Sequence, residues 1–83
     1  MAYQVQVDVL AREQIRALPA EALKDLAEAV TVLQISPWSG DPLRQDNPDG
    51  PIRTLAFGST GLLTYLILES QQIADVLSVF WIG

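Results

Sequence analysis

Apolar and polar residues alternate through Tyr3, Gln4, Val5, Gln6 and Val7, and this period of two predicts an opening strand with Tyr3, Val5 and Val7 on one face. The period then changes. Ala11, Ile15 and Leu18 recur at helical spacing behind Asp8, an N-capping residue type, so a helix is expected from about Val9 to Ala17, ended by Pro19. A second helix starts there, because proline is tolerated at a helix's first position and Glu21 sets a carboxylate at the positive end of the helix dipole. Its expected apolar stripe is Leu23, Leu26, Ala27, Val30 and Leu33, opposed by Lys24, Asp25 and Glu28. Ser36-Pro37 stops it.

From Ser36 to Pro51 no period survives, and the Pro/Gly/Asp-rich composition predicts a long loop of the kind that is functional or mobile in a small protein. Trp38 in that loop reads either as an exposed anchor for a partner or as a lid over the lower end of the second helix. Three branched and aromatic runs follow: Ile52 to Phe57, Leu62 to Leu68 and Ile73 to Trp81, joined at Gly58-Ser-Thr-Gly61 and at Gln71-Gln72. Runs of that composition between turn residues predict a three-stranded meander. The expected fold is α+β, in the order β-α-α-β-β-β, with a helical hairpin packed on a small, largely antiparallel sheet and one domain over residues 1–83.

The local pattern does not say which later strand the opening one joins. In the Leu62 to Leu68 run, Leu63, Tyr65 and Ile67 alternate with Leu62, Thr64, Leu66 and Leu68, and both sets are largely apolar. That strand is expected to be central and buried on both faces. Only one sheet face has helices to cover it, while Leu55, Phe57, Leu77, Val79, Phe80, Trp81 and Ile82 exceed what one small core needs. Either the sheet curls into a partial barrel, or an uncovered apolar face marks an interaction site.

Composition narrows the chemistry. A chain of 83 residues supports one domain burying about 60–65 % of its unfolded surface. The longest apolar segment, Gly61 to Leu68, is far short of the ~20 residues of a membrane-spanning helix. The first residues lack the basic start and cleavage site of a secretory signal, so no membrane association and a cytoplasmic location are expected. With no cysteine and no histidine, disulfides, thiolate nucleophiles, the commonest metal ligand and the usual base near neutral pH are all missing. Asp46-Asn-Pro-Asp-Gly50 has neither the spacing nor the closing glutamate of a calcium loop, so neither metal nor cofactor is expected.

The net charge of -5 opposes general binding of nucleic acid, which needs cations to displace counterions from phosphates. Ten dispersed acidic residues read as a solvated surface, whereas five basic ones are sparse enough to be informative. Arg12 and Arg16 are one helical turn apart on one face, and Arg44 and Arg53 flank the loop before the meander.

The strand, the helical hairpin closed by Leu18-Pro19, the loop, and then Arg53-x-Leu55-x-Phe57-Gly58-x-x-Gly61-x-x-x-Tyr65 followed by Val76-x-x-Val79 resemble the RelE/ParE superfamily of small toxins from bacterial toxin–antitoxin modules. The resemblance extends over almost the entire chain. It implies a stress-response toxin of a type II module, neutralised by a cognate antitoxin and directed either at ribosome-bound mRNA, by endoribonucleolytic cleavage, or at DNA gyrase. By the same resemblance, Arg53 and Tyr65 are the candidate catalytic residues, though Tyr65 equally fits a core aromatic with a polar tip.

The nuclease branch's other positions are not met. Leu62 and Leu63 stand where that branch carries an arginine, and Phe80-Trp81-Ile82-Gly83 stands where it carries a basic cluster and a tyrosine. Cleavage at a ribose 2′-hydroxyl requires cations for the developing phosphorane charge, and only Arg53 is in place. Partner binding is therefore the better-supported property, with Arg12, Arg16, Arg44 and Arg53 as ionic anchors for an acidic segment and Trp38 and Trp81 as aromatic ones. A catalytically inactive interaction module, a homodimer and a toxin–antitoxin hetero-oligomer remain open.

Overall fold

The computed structural model describes residues 2–82. Strand β1 (Gln4–Val7) passes through Asp8 alone into helix α1 (Val9–Arg16). Asp8 has extended backbone torsions at the cap position, but its side chain makes no capping bond. Pro19 caps helix α2 (Ala20–Ile35), with Glu21 in the first turn as expected.

The buried stripe of α2 is Ala22, Leu26, Ala29 and Leu33, rotated from the expected one, and Leu23 is exposed. Alanine at two of these four positions lets the helix approach the sheet closely, which turns the larger Leu23 out to the rim.

After a 3-10 turn at Pro37–Ser39, the expected loop contains a short strand, β2 (Asp41–Pro42), and the meander follows as β3 (Ile52–Phe57), β4 (Gly61–Leu68) and β5 (Ile73–Trp81). The sheet order is β1-β5-β4-β3-β2. β1 runs parallel to β5, which settles the pairing that periodicity left open, and the other neighbours are antiparallel. Two packed helices on a five-stranded mixed sheet give the expected α+β fold with one edge strand added. Gln72 at φ 56° reverses the chain between β4 and β5.

The core lies between the helices and one sheet face. Ala11, Leu26, Ala29 and Leu33 meet Phe57, Leu63, Tyr65, Ile67, Ala74, Val76 and Val79 there, with Val5, Val7, Ile15 and Trp81 at its margin. β4 is central, as expected, but it is not buried on both faces. Leu63, Tyr65 and Ile67 are buried against the helices, whereas Leu62 on the opposite face is 42 % exposed and Thr64, Leu66 and Leu68 are half-buried. A β-bulge between Thr64 and Tyr65 shifts the register against β5.

Candidate partner-binding surfaces

Arg53 lies opposite Tyr65 across the β3–β4 ladder, both on the helix side. Its neighbours decide what it can do. Nε and Nη2 donate to the Gly40 carbonyl at 3.1 and 2.8 Å, while Nη1 donates to those of Pro48 and Gly50 at 3.1 and 3.2 Å. Arg53 as a residue is 8 % exposed, and its guanidinium stacks 5.2 Å from the centre of the Trp38 ring. Arg53 thus braces the loop from Gly40 to Gly50 instead of standing free as an anchor or a phosphate-binding cation.

Tyr65 is fully buried and donates its hydroxyl hydrogen to the Pro37 carbonyl. Burial pushes its phenol above the usual tyrosine range. Of its two expected roles, the geometry is that of a core aromatic with a polar tip.

Trp38 acts as a lid over Arg53 while remaining 40 % exposed. Its indole N–H donates to Glu69 Oε1 at 2.8 Å, and the Tyr3 hydroxyl donates to the same oxygen at 2.7 Å. Gln72 Nε2 reaches Oε2 at 3.3 Å. The Trp38 and Tyr3 donors hold the Glu69 carboxyl below its usual range, with a smaller contribution from Gln72, and the hydrogen bond to Glu69 raises the Tyr3 phenol in return. One carboxylate therefore joins the opening strand, the loop and the β4–β5 turn. Pattern reading missed Glu69, because its partners are 31 and 66 residues away.

Arg12 and Arg16 do lie together. With Val5, Gln6, Val7 and Ile15 they line a shallow hollow between α1 and the outer edge of β1. Arg12 Nη2 donates to the Val7 carbonyl at 3.3 Å, and Arg16 sits 3.7 Å from Glu13 in an exposed pair. Arg44 is distant from both, forked onto Asp46 at 3.1 Å, and that contact lowers the Asp46 carboxyl. Trp81, across from Gly61, is half-buried at the core margin and so does not stand out as a free anchor.

The sheet face away from the helices is uncovered among the described residues. Leu62 and Phe80 are cross-strand neighbours at one end of it, and Phe80 is 61 % exposed. Thr54, Thr64 and Ser78 form a polar row across the middle. Beyond that row Leu43, Pro51, Ile52 and Leu66 line a hollow of about 160 Å³ with Arg44 at its rim. This surface offers apolar contact and hydroxyl groups but no cation in the strands themselves. Among the described residues it brings together no acid, base and phosphate-binding cation.

No family model and no curated protein matches the chain. Solved structures do. The E. coli toxin RelE, as a double mutant in the free state, is 22 % identical with a TM-score of 0.77, over 95 % of this chain and 82 % of that one. The same mutant in complex with an antitoxin RelBc peptide is also 22 % identical, with a TM-score of 0.80 over 100 % and 86 % of the two chains. The toxin–antitoxin complex RelBE2 from Mycobacterium tuberculosis matches at 22 % identity and a TM-score of 0.69 over 99 % and 93 %. The fold of this chain is that of the RelE toxins.

Proposed function

We propose that this chain is a RelE-like toxin component of a type II module, held by a cognate antitoxin and acting by binding a protein target rather than by cutting RNA. Support for the module comes from the shared fold and from the E. coli and M. tuberculosis neighbours, whose structures include antitoxin-bound forms. One observation carries the choice of mechanism: the guanidinium of Arg53, the cation that the nuclease reading depends on, is buried under four hydrogen bonds to main-chain oxygens. Stabilising a phosphorane needs a cation aimed at the phosphate, and one bound to three peptide carbonyls is aimed elsewhere. DNA gyrase, the target that the superfamily resemblance offers besides the ribosome, needs no such group. For the antitoxin, the paired cations Arg12 and Arg16 are the anchors best placed to meet an acidic segment.

Tightly induced expression of the chain alone, with growth, mRNA integrity and plasmid supercoiling followed in parallel, tests this. Growth arrest with intact mRNA, relieved by co-expression of an antitoxin-sized protein if one is encoded beside it, is expected. Cleavage within translated codons would overturn the non-nucleolytic mechanism, and absence of both arrest and partner would overturn the toxin assignment.

A further inference from the structure

We propose that an extended acidic segment of a partner adds to the sheet as a strand along the outer edge of β1, where Arg12 and Arg16 read two carboxylates spaced two residues apart. Resting on the antitoxin reading above, this gives that partner a geometry. The main chain of β1 supplies the first half. Gln4 donates its N–H to the carbonyl of Gln72, just before β5, and Asp8 to that of Val76 within it, so Val5 and Val7, one residue out of phase, turn theirs outward. Among the described residues only the start of this edge is covered, where Tyr3 donates its N–H to the carbonyl of Gln34. Among the described residues no strand pairs with the rest, and the Val7 carbonyl accepts only the exposed Arg12 side chain at 3.3 Å. An incoming strand's N–H takes over that carbonyl and releases Arg12.

The side chains supply the second half. Arg12 and Arg16 are four residues apart on α1, hence about 6 Å along its axis. In a strand, residues i and i+2 point to the same face about 6.7 Å apart. The two spacings match, and residues of α1 and β1 line one hollow at this edge. Val5, Val7 and Ile15 in the same hollow receive the aliphatic parts of the segment. The exposed Glu13 contact of Arg16, at 3.7 Å, is a weak competitor.

A second copy of this chain is the poorer occupant. Pairing two β1 edges brings both arginine pairs to one seam between molecules of net charge -5, with no acid from β1 to meet them. Charged side chains also protect exposed edges against aggregation, but carboxylates serve that purpose equally well, so charge reversal separates protection from recognition.

The test uses two capped threonine-rich peptides of identical composition, one with its two glutamates separated by one residue and the other with them adjacent and so on opposite faces. Titrated into the whole protein, the first is expected to bind at least tenfold tighter, to weaken as salt rises, and to slow amide exchange at Val5 and Val7. Arg12→Glu with Arg16→Glu should lose that peptide and gain its lysine counterpart, and circular dichroism of the variant checks its fold. Equal binding of the two isomers, no binding, or binding without protection of Val5 and Val7 overturns the proposal. The same exchange measurement on the complex with the protein encoded beside the chain keeps the two ideas apart. Protection elsewhere rejects the β1 edge while leaving the antitoxin reading intact, whereas peptide protection without any such partner does the reverse.

Discussion

The guanidinium of Arg53 forks onto one carbonyl, that of Gly40, at 3.1 Å from Nε and 2.8 Å from Nη2. Lysine carries the same charge but cannot present two parallel donors while also reaching Pro48 and Gly50. Arg53→Lys is expected to destabilise the protein by about 2–3 kcal/mol through carbonyls left unpaired in a buried site. Urea unfolding reads this directly, with Arg12→Lys as an exposed control that should move the midpoint very little. A phosphate-binding role makes the opposite forecast, in which Arg53→Lys keeps its stability and loses activity.

Gly40 and Tyr65 meet in the same layer. A Cβ at position 40 would lie 2.6 Å from the Thr54 carbonyl oxygen and would also collide with the Tyr65 hydroxyl. Gly40→Ala should therefore cost about 3 kcal/mol as an overpacked site. Tyr65→Phe removes a buried hydrogen bond to Pro37 and should cost about 1–2 kcal/mol. Because that change also clears half of the collision, the double variant is expected to be more stable than the sum of the two losses allows. Strict additivity in thermal unfolding would show that the hydroxyl is not what limits position 40.

Two carboxylates give pH dependences of opposite sign. Glu69 is held below its ordinary 4.5 by the Trp38 and Tyr3 donors, so its stabilisation is present above that value and is lost as pH falls through the lower folded-state value. Asp75 is raised above its ordinary 3.8, first by burial and then by the charge of Asp8, so the folded state binds its proton more readily than the unfolded one. Its stabilising effect is complete below 3.8 and disappears as pH rises through the folded-state value. Asp75→Asn should therefore be more stable than wild type at neutral pH, with the gain vanishing in acid. Glu69→Gln should behave in the reverse way, its deficit being largest at neutral pH. Denaturation curves of the two variants from pH 3 to pH 7 should converge on wild type at the acidic end, and divergence there would remove the electrostatic explanation.

How much of this was legible in the sequence depends on the range of the interaction. The strand at Tyr3 to Val7, the break at Pro19 and the meander from Ile52 follow from side-chain periodicity and turn residues, which act over a few positions. β2 escaped because two residues, one of them Pro42, show no period, and proline fits a strand only at an edge or a bulge. Arginine is among the residues least often buried, so nothing near position 53 signalled that its partners would be carbonyls at 40, 48 and 50. The Arg12 and Arg16 pairing was visible because helical spacing alone sets it. The open edge beside them was not, since it depends on β1 joining β5 across the whole chain.

The two faces of β4 should respond very differently to the same kind of change. Leu63 is fully buried against the helices, and Leu63→Ala is expected to cost about 3 kcal/mol from lost burial and the cavity left behind. Leu62, its neighbour in sequence, faces away and pairs with Phe80 across the ladder, and both are exposed. Threonine suits a strand as well as either of them, so Leu62→Thr with Phe80→Thr should change the unfolding free energy by less than about 1 kcal/mol, the scale of one cross-strand pair. A loss as large as that of Leu63→Ala in the isolated protein would mean that something of the chain's own covers this face. If the loss is small and growth arrest or antitoxin binding nevertheless fails in the double variant, the apolar end of the sheet serves contact with another molecule rather than folding.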